Sequence, residues 1–188
     1  MTDASPGHPF LSFLNTVRDD GKSRRDNSFA TGDALLAEVV RIGIAPPGTA
    51  APGQSQMNAI LSLREAGYAL FSALAAGRRP GREEALQIES AIKGVIQDAQ
   101  FAFRPDGLTL GPGPLGGLQD RLALSLLDLL QTGDINRLKE CDRCTHLFLD
   151  HGRGQGRRWC AMARCGNRAK METFRNRQRA QNSQGPRP

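Results

Sequence analysis

All four cysteines of this 188-residue chain fall between positions 141 and 165, as Cys141-x2-Cys144-x15-Cys160-x4-Cys165. A tight turn over a Cys-x2-Cys pair aims both sulfurs at one point, and its backbone N–H groups can hydrogen-bond the thiolates. A second close pair then completes the tetrahedron that zinc accepts. A reducing cytoplasm favours this over two disulfides. A thioredoxin-like redox pair at Cys141 and Cys144 would call for a preceding strand-rich pattern and would leave Cys160 and Cys165 unexplained. Four thiolates also close the coordination sphere, so the expected zinc is structural, because catalytic zinc keeps a position open for water or substrate. His146 and His151 are weaker candidate ligands. The first sits on an expected strand and the second at its exposed end. His8, distant in sequence, reads as an ordinary solvent-facing residue.

Between the cysteine pairs, Thr145 to Leu149 reads as a strand and Asp150 to Gly156 as a glycine-rich turn. Arg157-Arg158-Trp159-Cys160 reads as the returning strand, giving a hairpin bracketed by metal ligands. After Cys165, Gly166 permits a sharp turn and Asn167 can cap a helix running through Gln181. Knuckle, hairpin and helix together resemble a treble-clef finger. At 100° per residue Met171, Phe174 and Gln178 share a face expected to pack on Leu147 or Phe148 and Trp159.

Charge separates the same region from the rest. Residues 1–136 hold 12 Lys+Arg against 15 Asp+Glu, whereas residues 137–180 hold 12 Lys+Arg against four acids. Such asymmetry is an electrostatic footprint for a polyanion, nucleic acid first and an anionic membrane surface second. Arg168, Arg175 and Arg179 lie within about 40° of one another on the expected helix, and Lys170 and Arg177 on the opposite flank of its apolar stripe. Arg157 and Arg158 add charge on the adjoining strand. A solvated basic helix with no partner is the plainer alternative. Several cations facing successive phosphates is the functional one.

The N-terminal part reads as helical. Phe10, Leu14 and Val17 suit one face of a short helix interrupted at Asn15-Thr16, and Thr31 or Asp33 can cap a helix through Leu35, Leu36, Val39 and Val40. Longer periodic stretches cover Gln56 to Ala76 and Arg82 to Gln100, the latter with Leu86, Ile88, Ile92, Val95 and Ile96 inward. Phe101 and Phe103, Pro105-Asp106-Gly107, then Leu108 and Leu110 predict a short hairpin. Leu118 to Leu130 is apolar enough for a buried helix, and the chain beyond Gln181 is expected to fray. The fold class is therefore mainly α: a helical domain with a small β-hairpin over residues 1–136, then the zinc finger with its basic helix and tail over 137–188. No apolar run approaches the length needed to cross a bilayer, and the first ten residues lack the order of a secretory signal, so a cytoplasmic protein without membrane contact is expected.

Arg157-Arg158-Trp159-Cys160-Ala161-Met162 and Cys165-Gly166-Asn167-Arg168-Ala169-Lys170 closely resemble the CGNR zinc-finger family. The likeness extends over Cys141, Cys144, Leu147-Phe148-Leu149-Asp150 and Arg175-Asn176-Arg177. Phe13-Leu14-Asn15-Thr16-Val17 is similar to the opening of the helical ABATE domain that commonly precedes this finger. The resemblance implies a bacterial stress-related transcription regulator with Cys141, Cys144, Cys160 and Cys165 as zinc ligands, and Arg168 and Lys170 as phosphate contacts. His151-Gly152 departs from the family's usual residues after Asp150. DNA is thus the expected partner, with a homodimer or a small-molecule ligand as further expectations for the helical domain. A zinc-stapled protein-interaction module is the rival reading, because about 40 residues cannot fold alone without a metal or similar aid. RNA comes third, since few exposed aromatics are expected for base stacking. An enzyme is not expected: residues 1–136 carry no cysteine, only His8 among histidines, and no phosphate-loop or nucleophile-elbow pattern.

Overall fold

The computed structural model describes residues 6–18, 22–27, 29–105 and 107–182. Helix α1 (Pro9–Leu14) is short because its start is fixed chemically. The His8 Nδ1 accepts the Phe10 N–H, and Pro9 needs no partner for a missing N–H. The His8 Nε2 meets Asp128 at 2.9 Å, so His8 is a cap and a tether rather than a solvent-facing residue. Phe10, Leu11, Phe13 and Leu14 are all fully buried. Val17 does not continue the helix as its spacing suggested. It lies in an extended segment, β1 (Val17–Arg18), paired antiparallel with β2 (Asp26–Asn27).

Helix α2 (Gly32–Arg41) is capped by the Thr31 hydroxyl, which accepts the Ala34 N–H, and buries Leu35 and Val39. Helices α3 (Gln54–Ala75), α4 (Arg82–Asp98) and α5 (Leu118–Thr132) complete the helical body. Its core joins α1, α2, α3 and α5 through Phe10, Phe13, Leu35, Ile60, Phe71, Leu122, Leu126 and Leu129. Gly67 lets α1 lie directly on α3, because a Cβ there would sit 3.1 Å from Leu14 Cδ2 and 3.3 Å from Phe10 Cε1. Helix α4 packs on α3 and α5 through a narrower stripe than expected. Ile88 and Val95 are buried, but Leu86 and Ile96 are exposed, because only one side of the helix has neighbours. The hairpin forms as β3 (Gln100–Arg104) and β4 (Gly107–Gly111), with Asp106 of its expected turn outside the described residues, as is the tail beyond residue 182.

The second half of the chain departs most from expectation. The strand β6 (Leu147–Leu149) does not pair with Arg157–Cys160. It pairs with β5 (Leu138–Glu140), so the hairpin folds over the first cysteine pair itself. The reason is local: Cys141 and Cys144 sit in the turn joining two apolar strands, and Cys141 N donates to His146 O at 2.9 Å. Leu138, Leu147 and Leu149 enter the helical core, whereas Phe148, on the opposite face of β6, packs among the cysteines.

The other edge of β6 is satisfied by the N-terminal region. Asn15 Nδ2 donates to Leu147 O and Leu147 N donates to Asn15 Oδ1, both at 2.8 Å, and Leu149 N donates to Pro6 O at 2.8 Å. Further polar contacts flank this seam. Lys22 reaches the Glu140 carboxylate and the Cys141 carbonyl, and Ser72 donates to Glu140. Arg24 lies over the Tyr68 ring at 3.8 Å, pairs with Glu65, and donates to Leu14 O and to Thr145 Oγ1. Burial alone would raise the Glu65 carboxyl, but hydrogen bonds from Arg24 and Arg64 outweigh it and hold Glu65 below the usual carboxylate range. Burial dominates at Arg64, lowering its guanidinium from the ordinary value.

Replacing Asn15 by alanine leaves both backbone groups of Leu147 without that partner in a partly buried seam. The expected outcome is a loss on the order of 1–3 kcal/mol of stability, seen as a lower urea midpoint at unchanged m-value. An unaltered midpoint would show that water replaces the side chain without cost.

Candidate metal centre and basic helix

Cys141 and Cys144 project from the β5–β6 turn, and Cys160 and Cys165 come from the segment that returns beneath it. All four are buried, and their sulfurs lie within 4.8 Å of one another. Cys144 to Cys160, Cys160 to Cys165, and Cys165 to Cys144 measure 3.6, 3.6 and 3.7 Å. A tetrahedron of sulfurs around zinc at the usual bond length has an edge of roughly 3.8 Å, so the cluster fits the ion closely. Neither His146 nor His151 belongs to the group. The donor set thus holds one structural zinc.

The clustered thiols act strongly on one another. Hydrogen bonds from Cys144 and Cys160 hold the Cys141 thiol far below its ordinary value. Cys144 is pushed up, chiefly through Cys141, and Cys160 is pushed up to about 12 for the same leading reason. Sulfurs this close cannot all ionise against one another, and a divalent ion removes that conflict while completing the fold of the segment.

Cys165 is placed by a wide helical turn over Met162–Gly166, in which both Cys165 N and Gly166 N donate to Ala161 O, at 2.9 and 3.2 Å. Gly166 eases close packing: a Cβ would stand 3.1 Å from Trp159 Cδ1 and would push aside the exposed Met162 side chain, whose Sδ is 2.2 Å away. The turn runs straight into α6 (Asn167–Asn182), so Asn167 is not the cap its composition suggested. Its Nδ2 points back to Ala163 O at 3.4 Å.

A buried carboxylate organises the loop between the pairs. Asp150, 2% exposed, accepts from Gly152 N at 3.0 Å, Arg157 N at 2.9 Å and Lys139 Nζ at 3.1 Å. The Arg157 amide leads the interactions that hold its carboxyl below the usual range. The sequence pattern does not assign this residue, nor Asn15, Arg24 or Arg143, to the site. A lone acid with a glycine two residues on is the one signal that points to Asp150.

The seven basic residues expected to meet phosphate are not equivalent. Arg157 turns inward: its guanidinium lies 4.1 Å from the Phe148 ring centroid and donates to the carbonyls of Trp159 and Cys160. Arg158 is exposed, pairs with Asp142 at 2.7 Å and lies 5.0 Å from the Trp159 ring centroid. Arg168, Lys170, Arg175, Arg177 and Arg179 all stand exposed along α6. The apolar face expected to pack on the hairpin does not: Met171 and Phe174 are 52% and 56% exposed, and every residue from Met171 to Ala180 is exposed. The helix is held at its root, where Arg143 from the cysteine turn pairs with Glu172, and this bond draws the Glu172 carboxyl below its ordinary value.

The purified, reduced protein should carry one zinc per chain by elemental analysis. Chelation should open the Gly152–Asn182 region to protease while the helical body stays protected, because among the described residues from 138 onward only Leu138, Leu147 and Leu149 share its core. Less than stoichiometric metal, or a cleavage pattern indifferent to chelator, would contradict this assignment.

Comparison with known families gives two matches. Residues 7–133 match the ABATE family, described as "Putative stress-induced transcription regulator", and residues 137–178 match the CGNR zinc finger. No curated protein matches the chain. The first match covers well over half of the sequence and the second covers the metal centre with most of α6. The chain belongs to the ABATE family, with a CGNR zinc finger following its ABATE domain.

Proposed function

We propose that the protein is a cytoplasmic DNA-binding transcription regulator in which the zinc centre fixes the root of α6 and the exposed length of that helix lies against duplex phosphates. One observation carries the reading. From Asn167 onward α6 has five basic residues and one acid, Glu172, and that acid is drawn to Arg143 at the helix root. Nucleic acid is the commonest polyanion that such a concentration of positive charge meets.

Arg168, Lys170, Arg175, Arg177 and Arg179, with Arg158 on the adjoining segment, are the proposed phosphate contacts. Arg157 supports them from inside the finger. Asn176 is the main candidate for reading a base edge, since asparagine can pair with adenine in the major groove. Four thiolates leave zinc no open position, so its part is architectural and the protein is not proposed to be an enzyme. The exposed Met171 and Phe174 favour a second reading, in which α6 docks on a protein.

A sensing role is proposed as well, at a cleft of about 440 Å³ between α1, α2 and the finger, lined by Ser12, Glu38, Arg41, Phe148, Arg157 and Arg164 among others. Both oxygens of Glu38 hold Arg41 there, so a small carboxylate or phosphate ester would take the place of that carboxylate, touching both the helical body and the residue stacked on Phe148. A thermal-shift screen of small carboxylates and phosphate esters should find a stabiliser whose effect is lost in Arg41→Ala. A screen without one would remove the sensing role.

For DNA, Arg175→Ala with Arg179→Ala should weaken binding to specific and random duplexes alike. The log–log salt slope should flatten by roughly 0.9 for each phosphate no longer neutralised, with zinc content unchanged. Fluorescence anisotropy at several salt concentrations measures both. If the double variant binds duplex as the parent does while a protein partner no longer binds, the docking reading replaces this one.

A further inference from the structure

The β3–β4 hairpin is the least covered part of the helical body, and its exposed face is apolar. The register places Phe101 opposite Leu110 and Phe103 opposite Leu108, so these four side chains share one face of the two-stranded sheet. Phe101, Phe103 and Leu108 are 53%, 84% and 51% exposed. A lone two-stranded hairpin is marginal in water, and pairing of its free edge supplies the further strands that stability calls for. Strand β4 lies toward α5, whereas every residue of β3 is exposed and its outer edge pairs with no strand among the described residues.

The sequence of that free strand is nearly its own mirror: Gln100-Phe101-Ala102-Phe103-Arg104. Two such strands running antiparallel about a two-fold axis at Ala102 place Phe101 opposite the partner's Phe103, and Phe103 opposite the partner's Phe101. Ala102 meets the partner's Ala102, and Gln100 meets the partner's Arg104. No like charges face each other, and the edge carries neither lysine nor proline, the usual devices that keep edges apart. A two-fold contact requires this kind of self-complementarity.

We propose that β3 is the dimerisation edge of the protein, joining two hairpins into a continuous four-stranded antiparallel sheet with Phe101, Phe103, Leu108 and Leu110 of both copies on one face. Edge pairing buries the β3 backbone and the flanks of Phe101, Phe103, Gln100 and Arg104, and it merges the apolar faces of the two hairpins into one. A contact made by one five-residue strand from each copy lies below the roughly 1,000 Å² of stable interfaces and belongs with the weak, transient ones. A weak, reversible dimer follows. The assembly does not depend on α6 or the metal, so it stands or falls apart from the DNA-binding proposal.

The zinc-loaded full chain is tested by sedimentation velocity over a range from about 1 to 100 µM, where dimers of that strength populate. Phe103→Lys, at a site already open to solvent, should raise the dimer dissociation constant at least about tenfold without changing zinc content or thermal midpoint. Directly opposed Cα atoms in an antiparallel pair are about 4.5–5.5 Å apart, within reach of a disulfide. Ala102→Cys should therefore cross-link into a dimer under mild oxidation, and Arg104→Cys, whose twin lies at the far end of the paired strands, should not. A monomer throughout the concentration range overturns the proposal and leaves the face to a different protein. So does a dimer that survives Phe103→Lys and fails to cross-link at position 102.

Discussion

Three consecutive residues, Leu147, Phe148 and Leu149, connect everything described above. In a strand, successive side chains point to opposite faces. Here the two leucines enter the helical core and Phe148 enters the cysteine cluster, so β6 has no solvent-facing side. Its backbone is equally enclosed, by β5 on one edge and by Asn15 and Pro6 on the other. A segment this short has no stability of its own. It is extended because two cores and two edges require it, and each of those in turn is completed by it.

The metal centre inherits its rigidity from that arrangement. Cys141 and Cys144 are fixed by the ends of β5 and β6, and the second pair is brought beneath them by Arg157 over Phe148 and by the Asp150 carboxylate in the intervening loop. From Cys165 the chain can only leave in the direction set by the wide turn, and Arg143 holds the first turns of α6 through Glu172. Beyond that point the helix stands exposed on every face through Ala180. Position is imposed at one end and charge is displayed along the rest, which is a division suited to a surface whose partner is supplied from outside.

Much of this was legible in the sequence, and the reasons differ by element. The sulfur spacing and the helices with strong period appear because they rest on local chemistry: Thr31 caps α2 as its composition indicates, and Gln54–Ala75 follows its apolar repeat. The strand pairing in the finger did not. Arg157–Cys160 has the alternation of a strand, but Leu138–Glu140 lies nearer to β6 across the cysteine turn and offers Leu138 to the helical core, a gain no local pattern reveals. The apolar spacing of Met171 and Phe174 was likewise real while the inference of burial was not, since periodicity records that a stripe exists and not what covers it. Asn15 stood in a recognisable motif, yet its role as a backbone partner of Leu147 depends on a contact 132 positions away.

The shared strand also constrains how such chains can diverge. A finger grafted from one relative onto another's helical body would bring its own residues at 147 and 149 to a groove shaped by different neighbours, and would present its backbone to whatever occupies position 15. Compatible change must therefore be concerted across the chain, with substitutions in α1 and α3 answered in β6. Packing at β6 thus couples the two parts mechanically, whatever each half binds.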